Sequence, residues 1–311
     1  MVGVDLFFVI SGFIMVYISW NKPRGIKAVS EFLFSRVFRI YPLYWAVSAA
    51  LILLWLWRPE IVFSSIEEKP DIIKSLALWP DSRPPILAVG WTLIHEVFFY
   101  LVFAVSLLFS RRALVPFLFI WAVLIAAGII MNLTLISPLL AILFSPLSFE
   151  FLGGALAAWV IITKSPSKRT GWVTFIFGCL SLIAASVMSY ANFASIPVEF
   201  MARILYFAFP CTLIIFGVVV LEKHGTGKTS LLPRLGDWSY GLYLTHILSL
   251  SLLGRLWGTV DKAGIVDNAI ILPALTLLSI LVAFLTWRLV EHPINKIVKT
   301  TRKKLFSNQD V

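Results

Sequence analysis

Any chemistry in this chain must come from a few polar side chains set inside apolar sequence. Asp5, Arg36, Arg39, His95, Glu96, Glu150, Arg203, His246, Arg255, Arg288 and Glu291 all fall within such runs. Ionisable groups kept in hydrocarbon cost a few kcal/mol or more and point to a site or to a paired structural contact. Two readings of Glu96 and His246 are open. Either they hydrogen-bond polar neighbours and lock helices together, or they line a polar cavity where the histidine moves protons and a carboxylate orients it. Arg36 and Arg39 are spaced i, i+3, which puts both guanidinium groups on one helix face. They read either as anchors for lipid headgroups or as a bidentate clamp for the phosphates of a cytoplasmic anionic cofactor. Pro42, three residues on, predicts a kink that frees backbone groups for other partners.

Other motifs fail on inspection. Gly225-Thr226-Gly227-Lys228-Thr229 ends like a phosphate-binding loop, but the required first glycine falls at Glu222 and no strand precedes it. His95-Glu96 lacks the second histidine of a zinc motif, which would be Phe99, and no other metal constellation is present in the sequence. Cys179 and Cys211 lie in apolar runs and read as small buried hydrophobes.

The elements that position these residues follow from composition. The chain has 311 residues, 59% hydrophobic and only 14% charged, with a mean hydropathy of +0.92. A soluble domain carries about a quarter of its residues as Asp, Glu, Lys or Arg. The reading is an all-α polytopic membrane bundle; disorder, collagen, a disulfide scaffold and a nucleic-acid partner are excluded. Segments able to cross a core of about 30 Å fall at 4–20, 34–57, 87–109, 113–131, 139–163, 172–190, 202–221, 237–257 and 268–291. On these bounds Glu96 lies roughly 14 Å below the outer start of its span, Glu150 roughly 16 Å below its own, and His246 about 14 Å from a cytoplasmic end. Residues 1–291 are read as one membrane domain and 292–311 as a basic cytoplasmic tail.

The net charge of +10 is distributed unevenly. Alternate connections and the tail hold sixteen Lys and Arg: Lys22, Arg24, Lys27, Arg111, Arg112, Lys164, Lys168, Arg169, Lys223, Lys228, Arg234, Lys296, Lys299, Arg302, Lys303 and Lys304. The opposite side holds five, Arg58, Lys69, Lys74, Arg83 and Lys262, diluted by Glu60, Glu67, Glu68, Asp71 and Asp81. Positive residues stay in the cytoplasm, so nine crossings place the C-terminus there and the N-terminus outside. Met1 leads almost directly into apolar sequence with no basic stretch before it, so no signal peptide is read. An outward N-terminus without one predicts a further helix upstream.

Gly3-Val4-Asp5-Leu6-Phe7-Phe8-Val9-Ile10-Ser11-Gly12-Phe13 closely resembles a signature of the acyltransferase family 3 membrane proteins. Four further blocks agree in order: Arg36-Val37-Phe38-Arg39-Ile40-Tyr41-Pro42, Trp91 to Tyr100, Phe149-Glu150-Phe151-Leu152-Gly153-Gly154, and Ser239 to His246. The resemblance implies transfer of an acyl group, most often acetyl from acetyl-coenzyme A, to a hydroxyl of an exported polysaccharide or lipid-linked sugar, without a metal. It implies a multi-pass protein of the inner membrane, in contact with membrane lipid and looking most like the exopolysaccharide acetyltransferase branch. Arg36 and Arg39 would face the coenzyme A side and Glu96 would belong to the polar core, with Asp5, Ser11 and Glu150 in structural roles. The family carries a further helix before the first signature, with an R-x-x-A element and a histidine proposed to be catalytic, and the sequence begins after it. His246 is then the remaining candidate for acid-base work, either deprotonating the sugar hydroxyl or accepting the acyl group. Two other expectations stay open, a transporter or flippase with midplane charges and an inactive truncated homologue; the sequence sets no oligomeric state.

Overall fold

The computed structural model describes residues 2–59, 62, 68–192, 204–226, 231–257 and 265–307. Among the described residues there is no strand. The elements run α1 (Val2–Ser19), α2 (Ile26–Trp57), α3 (Ile72–Ala77), α4 (Gly90–Ser106), α5 (Leu114–Ile130), α6 (Pro138–Leu143), α7 (Ser148–Lys164) and α8 (Lys168–Asn192), then α9 (Phe209–Lys223), α10 (Leu231–Trp257), α11 (Ile265–Thr286) and α12 (His292–Ser307). Six helical stretches among the described residues are long and apolar enough to cross a membrane, and the shorter apolar helices Gly3–Ser19 and Gly90–Ser106 add to them. The protein is a polytopic helical membrane bundle. Its outer faces carry large apolar chains such as Leu53, Phe119, Ile130 and Leu135, the arrangement a hydrocarbon solvent requires. Arg203, Lys228 and Lys262, with Glu60 and Glu67 and the side chains of Arg234 and Arg255, lie outside the described residues.

Three boundaries differ from the sequence reading. The stretch 139–163 is two helices, because Pro146 has no N–H and disfavours helix at Ser145 before it. Ser137 caps α6 by accepting from Leu140 N at 3.3 Å, and Pro138 occupies its first position. Glu150 therefore sits in the first turn of α7, not halfway along one long helix. The last span does not stop at Glu291 either. A wide π turn, Trp287–Glu291, carries it into α12, and Pro293, with no N–H to offer the ladder, is accommodated just after that turn. The third is α2, which begins at Ile26 and runs unbroken through Pro42.

The chain divides into two contact units, Met1–Ser30 with Ile94–Lys228, and Glu31–Leu93 with Thr229–Val311. In the first, α1 packs along α7, α8 along α9, and α5 and α9 also pack on α7. Lipid gives no hydrophobic force between helices, so close backbone approach has to hold them. Gly12 and Gly154 supply it reciprocally: a Cβ on Gly12 would lie 2.0 Å from Phe151 O, and one on Gly154 would lie 1.9 Å from Val9 O. Beside this contact Phe99 packs on Phe151 at 4.7 Å and on Phe8 at 5.4 Å between ring centroids.

In the second unit, α10 packs along α11, and α3 is held against α2 by three aromatic donors. Tyr41 OH donates to Ala77 O at 3.0 Å, Tyr44 OH to Ser75 O at 2.7 Å and Trp45 Nε1 to Leu76 O at 2.9 Å. Positions 41, 44 and 45 share one helix face, so a single stripe of α2 reaches three carbonyls at the C-terminal end of α3, of which Ser75 O also accepts from Leu78 N at 3.0 Å. The 58–86 connection is thus built structure over its second half. Asp71 caps α3 by accepting from Lys74 N at 3.0 Å. Arg83 bridges Asp71 and Asp81 at 3.1 and 3.0 Å, and Lys74 reaches Asp81 at 3.3 Å.

Candidate active site

The polar residues fall into one constellation in each unit. In the first unit Glu96 is buried at 5% exposure on α4. Its Oε1 accepts from Ser11 Oγ of α1 at 3.1 Å and from the Tyr100 hydroxyl one turn along its own helix. Ser11 thus joins Glu96 directly, as one hydrogen bond tying α1 to α4. Asp5, Glu150 and Ser148 are wholly buried, and the charges of Asp5 and Glu150 both act on Cys211 of α9, which places α1, α7 and α9 around one polar spot. His95, beside Glu96, turns into the aromatic cluster, with ring centroids 6.0 Å from Phe8 and 6.5 Å from Phe99.

The second unit brings together Arg39, Tyr240, Gly241, Tyr243, His246, Thr92 and Glu291. The guanidinium of Arg39 lies 5.7 Å from the Tyr240 ring centroid, and the Tyr240 hydroxyl donates to Ile40 O at 2.7 Å. That carbonyl, two residues before Pro42, is a backbone group engaged by another helix. The charge of Arg39 also acts on buried Glu291. Gly241 makes this approach possible, since a Cβ there would meet Thr286 Oγ1 at 2.7 Å and Glu291 Oε1 at 3.1 Å. Arg36 stacks on Phe32 of its own helix at 5.2 Å. The i, i+3 pair therefore splits its partners: Arg36 leans along α2 and Arg39 reaches α10.

His246 is fixed by backbone. Its Nδ1 lies 2.7 Å from Tyr243 O and 3.1 Å from Leu242 O. A carbonyl only accepts, so Nδ1 carries a proton and Nε2 is the ring nitrogen left for other partners. The acceptor that orients this histidine is a backbone carbonyl and not a carboxylate. The Tyr243 hydroxyl meets Thr92 Oγ1 in a short hydrogen bond and donates to Val89 O at 3.2 Å, tying α10 to the start of α4. An apolar groove of about 530 Å³ lies between α2 and α3, lined by Trp45, Ala49, Ile52, Ile73, Leu76 and Ala77.

Sequence reasoning singled out Arg39, Glu96 and His246 but missed their partners Tyr100, Tyr240 and Tyr243, and gave Glu291 no role. One signal was present. Tyr240, Tyr243 and His246 recur every three residues and so share a face of one helix. Among the described residues no group of three or more His, Cys, Asp or Glu side chains is gathered where it could hold a metal.

Comparison with known proteins supplies the family. A family model described as an acyltransferase domain matches residues 1–288. The exopolysaccharide production protein ExoZ of Rhizobium meliloti (strain 1021) is 29% identical over 274 aligned residues, covering 81% of this chain and 77% of that protein. The acyltransferase MdmB of Streptomyces mycarofaciens is 26% identical over 283, covering 83% and 70%. No solved structure matches.

Proposed function

Since the chain belongs to the acyltransferase family whose domain spans residues 1–288, a family of multi-pass membrane O-acyltransferases, we propose that it moves an acyl group, most simply acetyl, from acyl-coenzyme A to a sugar hydroxyl. His246 carries this reading, because a ring whose Nδ1–H is held by a carbonyl presents Nε2 as a base. In the proposed step Nε2 takes the hydroxyl proton as the sugar oxygen attacks the thioester carbonyl. The C–S bond then breaks, and the proton returns to the departing thiolate. Arg36 and Arg39 bind the donor's phosphates, Arg39 being set against the Tyr240 ring. The Tyr243–Thr92 hydrogen bond holds the His246 turn of α10. Glu96, with Ser11 and Tyr100, positions α1 and α4.

The acceptor is a polysaccharide or a lipid-linked sugar. The name of the exopolysaccharide production relative supports the first; the groove beside Trp45 would suit the hydrocarbon chain of the second. The location that follows is the cytoplasmic membrane with the C-terminus inside, on the charge asymmetry of the loops.

The test is transfer of labelled acetyl from acetyl-coenzyme A by the purified full chain, offered both acceptor classes. His246→Ala is expected to lower kcat by about 10²- to 10⁴-fold. Arg36→Gln with Arg39→Gln is expected to raise KM for the donor. An unchanged kcat in His246→Ala, with stability retained, would overturn the assignment of the base.

A further inference from the structure

A second cationic feature lies in the first unit, where the turn from α1 to α2 meets the turn from α4 to α5. Two bonds fix these turns to each other: Gly25 N donates to Leu107 O at 2.9 Å, and the Arg111 guanidinium reaches Lys22 O at 3.5 Å. Gly25 has φ +108°, a conformation that L side chains rarely adopt, so the sharp reversal after Arg24 rests on glycine. The consequence falls on Arg24. The reversal leaves its side chain half-buried, with its Nε enclosed and donating to no acceptor among the described residues.

The neighbour it meets there has the same charge. Arg111 is close enough for the two guanidinium groups to repel, and burial first, then the Arg111 charge, hold Arg24 below its ordinary value. Arginine stays protonated at any physiological pH, so this repulsion is not relieved by loss of a proton. The segments that build the cluster bring no carboxylate, since residues 6–30 and 97–149 contain no Asp or Glu. Neither arginine has a carboxylate within ion-pair distance among the described residues. A general excess of positive charge beside the membrane explains lysines and arginines spread over a loop. It does not explain why two guanidinium groups are brought together with a donor turned inward.

An anion between them explains both. It would cancel the repulsion and give Arg24 Nε–H an acceptor. The fork of a guanidinium matches phosphate oxygens bidentately, and two forks suit a tetrahedral group that offers several oxygens at once. We infer that Arg24 and Arg111 form a phosphate-binding site at the junction of the α1–α2 and α4–α5 turns. The phosphate ester belongs either to a soluble nucleotide or to a lipid headgroup. The inference does not depend on the acyl-transfer reading.

The experiment reads binding and not transfer. The full chain is placed in phosphatidylcholine nanodiscs and titrated with adenosine 3′,5′-bisphosphate and with pyrophosphate. In a second arm, enrichment of phosphatidylglycerol around the protein is measured in mixed nanodiscs. Arg24→Gln and Arg111→Gln are each expected to weaken binding about tenfold or more in one of the two arms, the loss of charge-assisted hydrogen bonds. The double variant should lose little beyond either single one, because both groups hold one ligand. Loss in the first arm identifies the soluble phosphate as the source, and loss in the second identifies the headgroup. Arg112→Gln, one residue along, should change binding less than about twofold in both arms if the site is specific. Arg24→Lys keeps the charge and loses the fork, so it should still weaken binding should Arg24→Gln fold poorly. Equal loss in Arg112→Gln, or no change in either arm, overturns the site.

Discussion

Gly154→Ala adds one methyl group where α1 and α7 touch. The new Cβ would lie 1.9 Å from Val9 O, 2.8 Å from Val9 C and 2.9 Å from Phe13 N. Ordinary contact starts at 3.4 Å, so the helices must part by about 1.5 Å, the difference between 3.4 and 1.9. All three obstacles are backbone atoms, and no side chain can rotate to relieve them. Forcing a packed interface apart in this way costs about 1–3 kcal/mol. A second loss follows, because Ser11 sits on the same stretch of α1 and its 3.1 Å bond to Glu96 would stretch out of range. A hydrogen bond of that kind contributes about 1–3 kcal/mol, so the sum is about 2–6 kcal/mol. At about 2–4 °C per kcal/mol for a large domain, Tm in detergent should fall by about 4–24 °C. Gly3→Ala on the same helix is the control, since nothing lies within 4 Å of the position its Cβ would take. Equal Tm values for Gly154→Ala and Gly3→Ala would refute the claim that backbone contact at this point holds the first unit together.

Glu96→Gln keeps an oxygen that can accept from Ser11 and Tyr100, whereas Glu96→Ala leaves both hydroxyls without it. The glutamine variant should therefore unfold near the parent protein and the alanine variant about 2–4 kcal/mol below it; equal losses would show that the acceptor is not what matters. The α3 connection should loosen in acid. Desolvation raises the Asp81 carboxyl, but hydrogen bonds from Arg83 and Lys74 outweigh it and bring it to about 2, against an ordinary 3.8. A group depressed in the folded state stabilises above its unfolded value and loses that contribution as pH falls through the folded one. Hydrogen exchange over residues 71–86, corrected for its intrinsic pH dependence, should rise between about pH 4 and pH 2. Asp81→Asn should weaken the acid response over that window, the remainder belonging to Asp71, whose carboxyl is also held low by the Lys74 N–H and by Arg83, and a parent-like acid response in it would remove Asp81 as the cause.

Much of the site was legible because hydrocarbon exposes it. Glu96, Glu150, Asp5 and Arg39 stand out in apolar sequence, where keeping a polar group implies a partner. The partners themselves were not legible. Tyr240 donates to Ile40 across two hundred positions of sequence, and no local pattern encodes which helix a tyrosine will reach. The stripe Tyr41, Tyr44, Trp45 carries no local sign of its role, because the carbonyls of α3 it reaches lie in a connection with little apolar signal.

Sequence alone determined the solvent of this protein and the helical class that solvent demands, since hydropathy is a property of residues one at a time. Tertiary structure alone decided which polar groups meet. It set the Arg39–Tyr240 contact, the bond from Tyr243 to Thr92 and the meeting of the turns at Gly25 and Arg111. Distances of a few ångströms between helices depend on how glycine-lined backbones nest, and that is a property of pairs of surfaces.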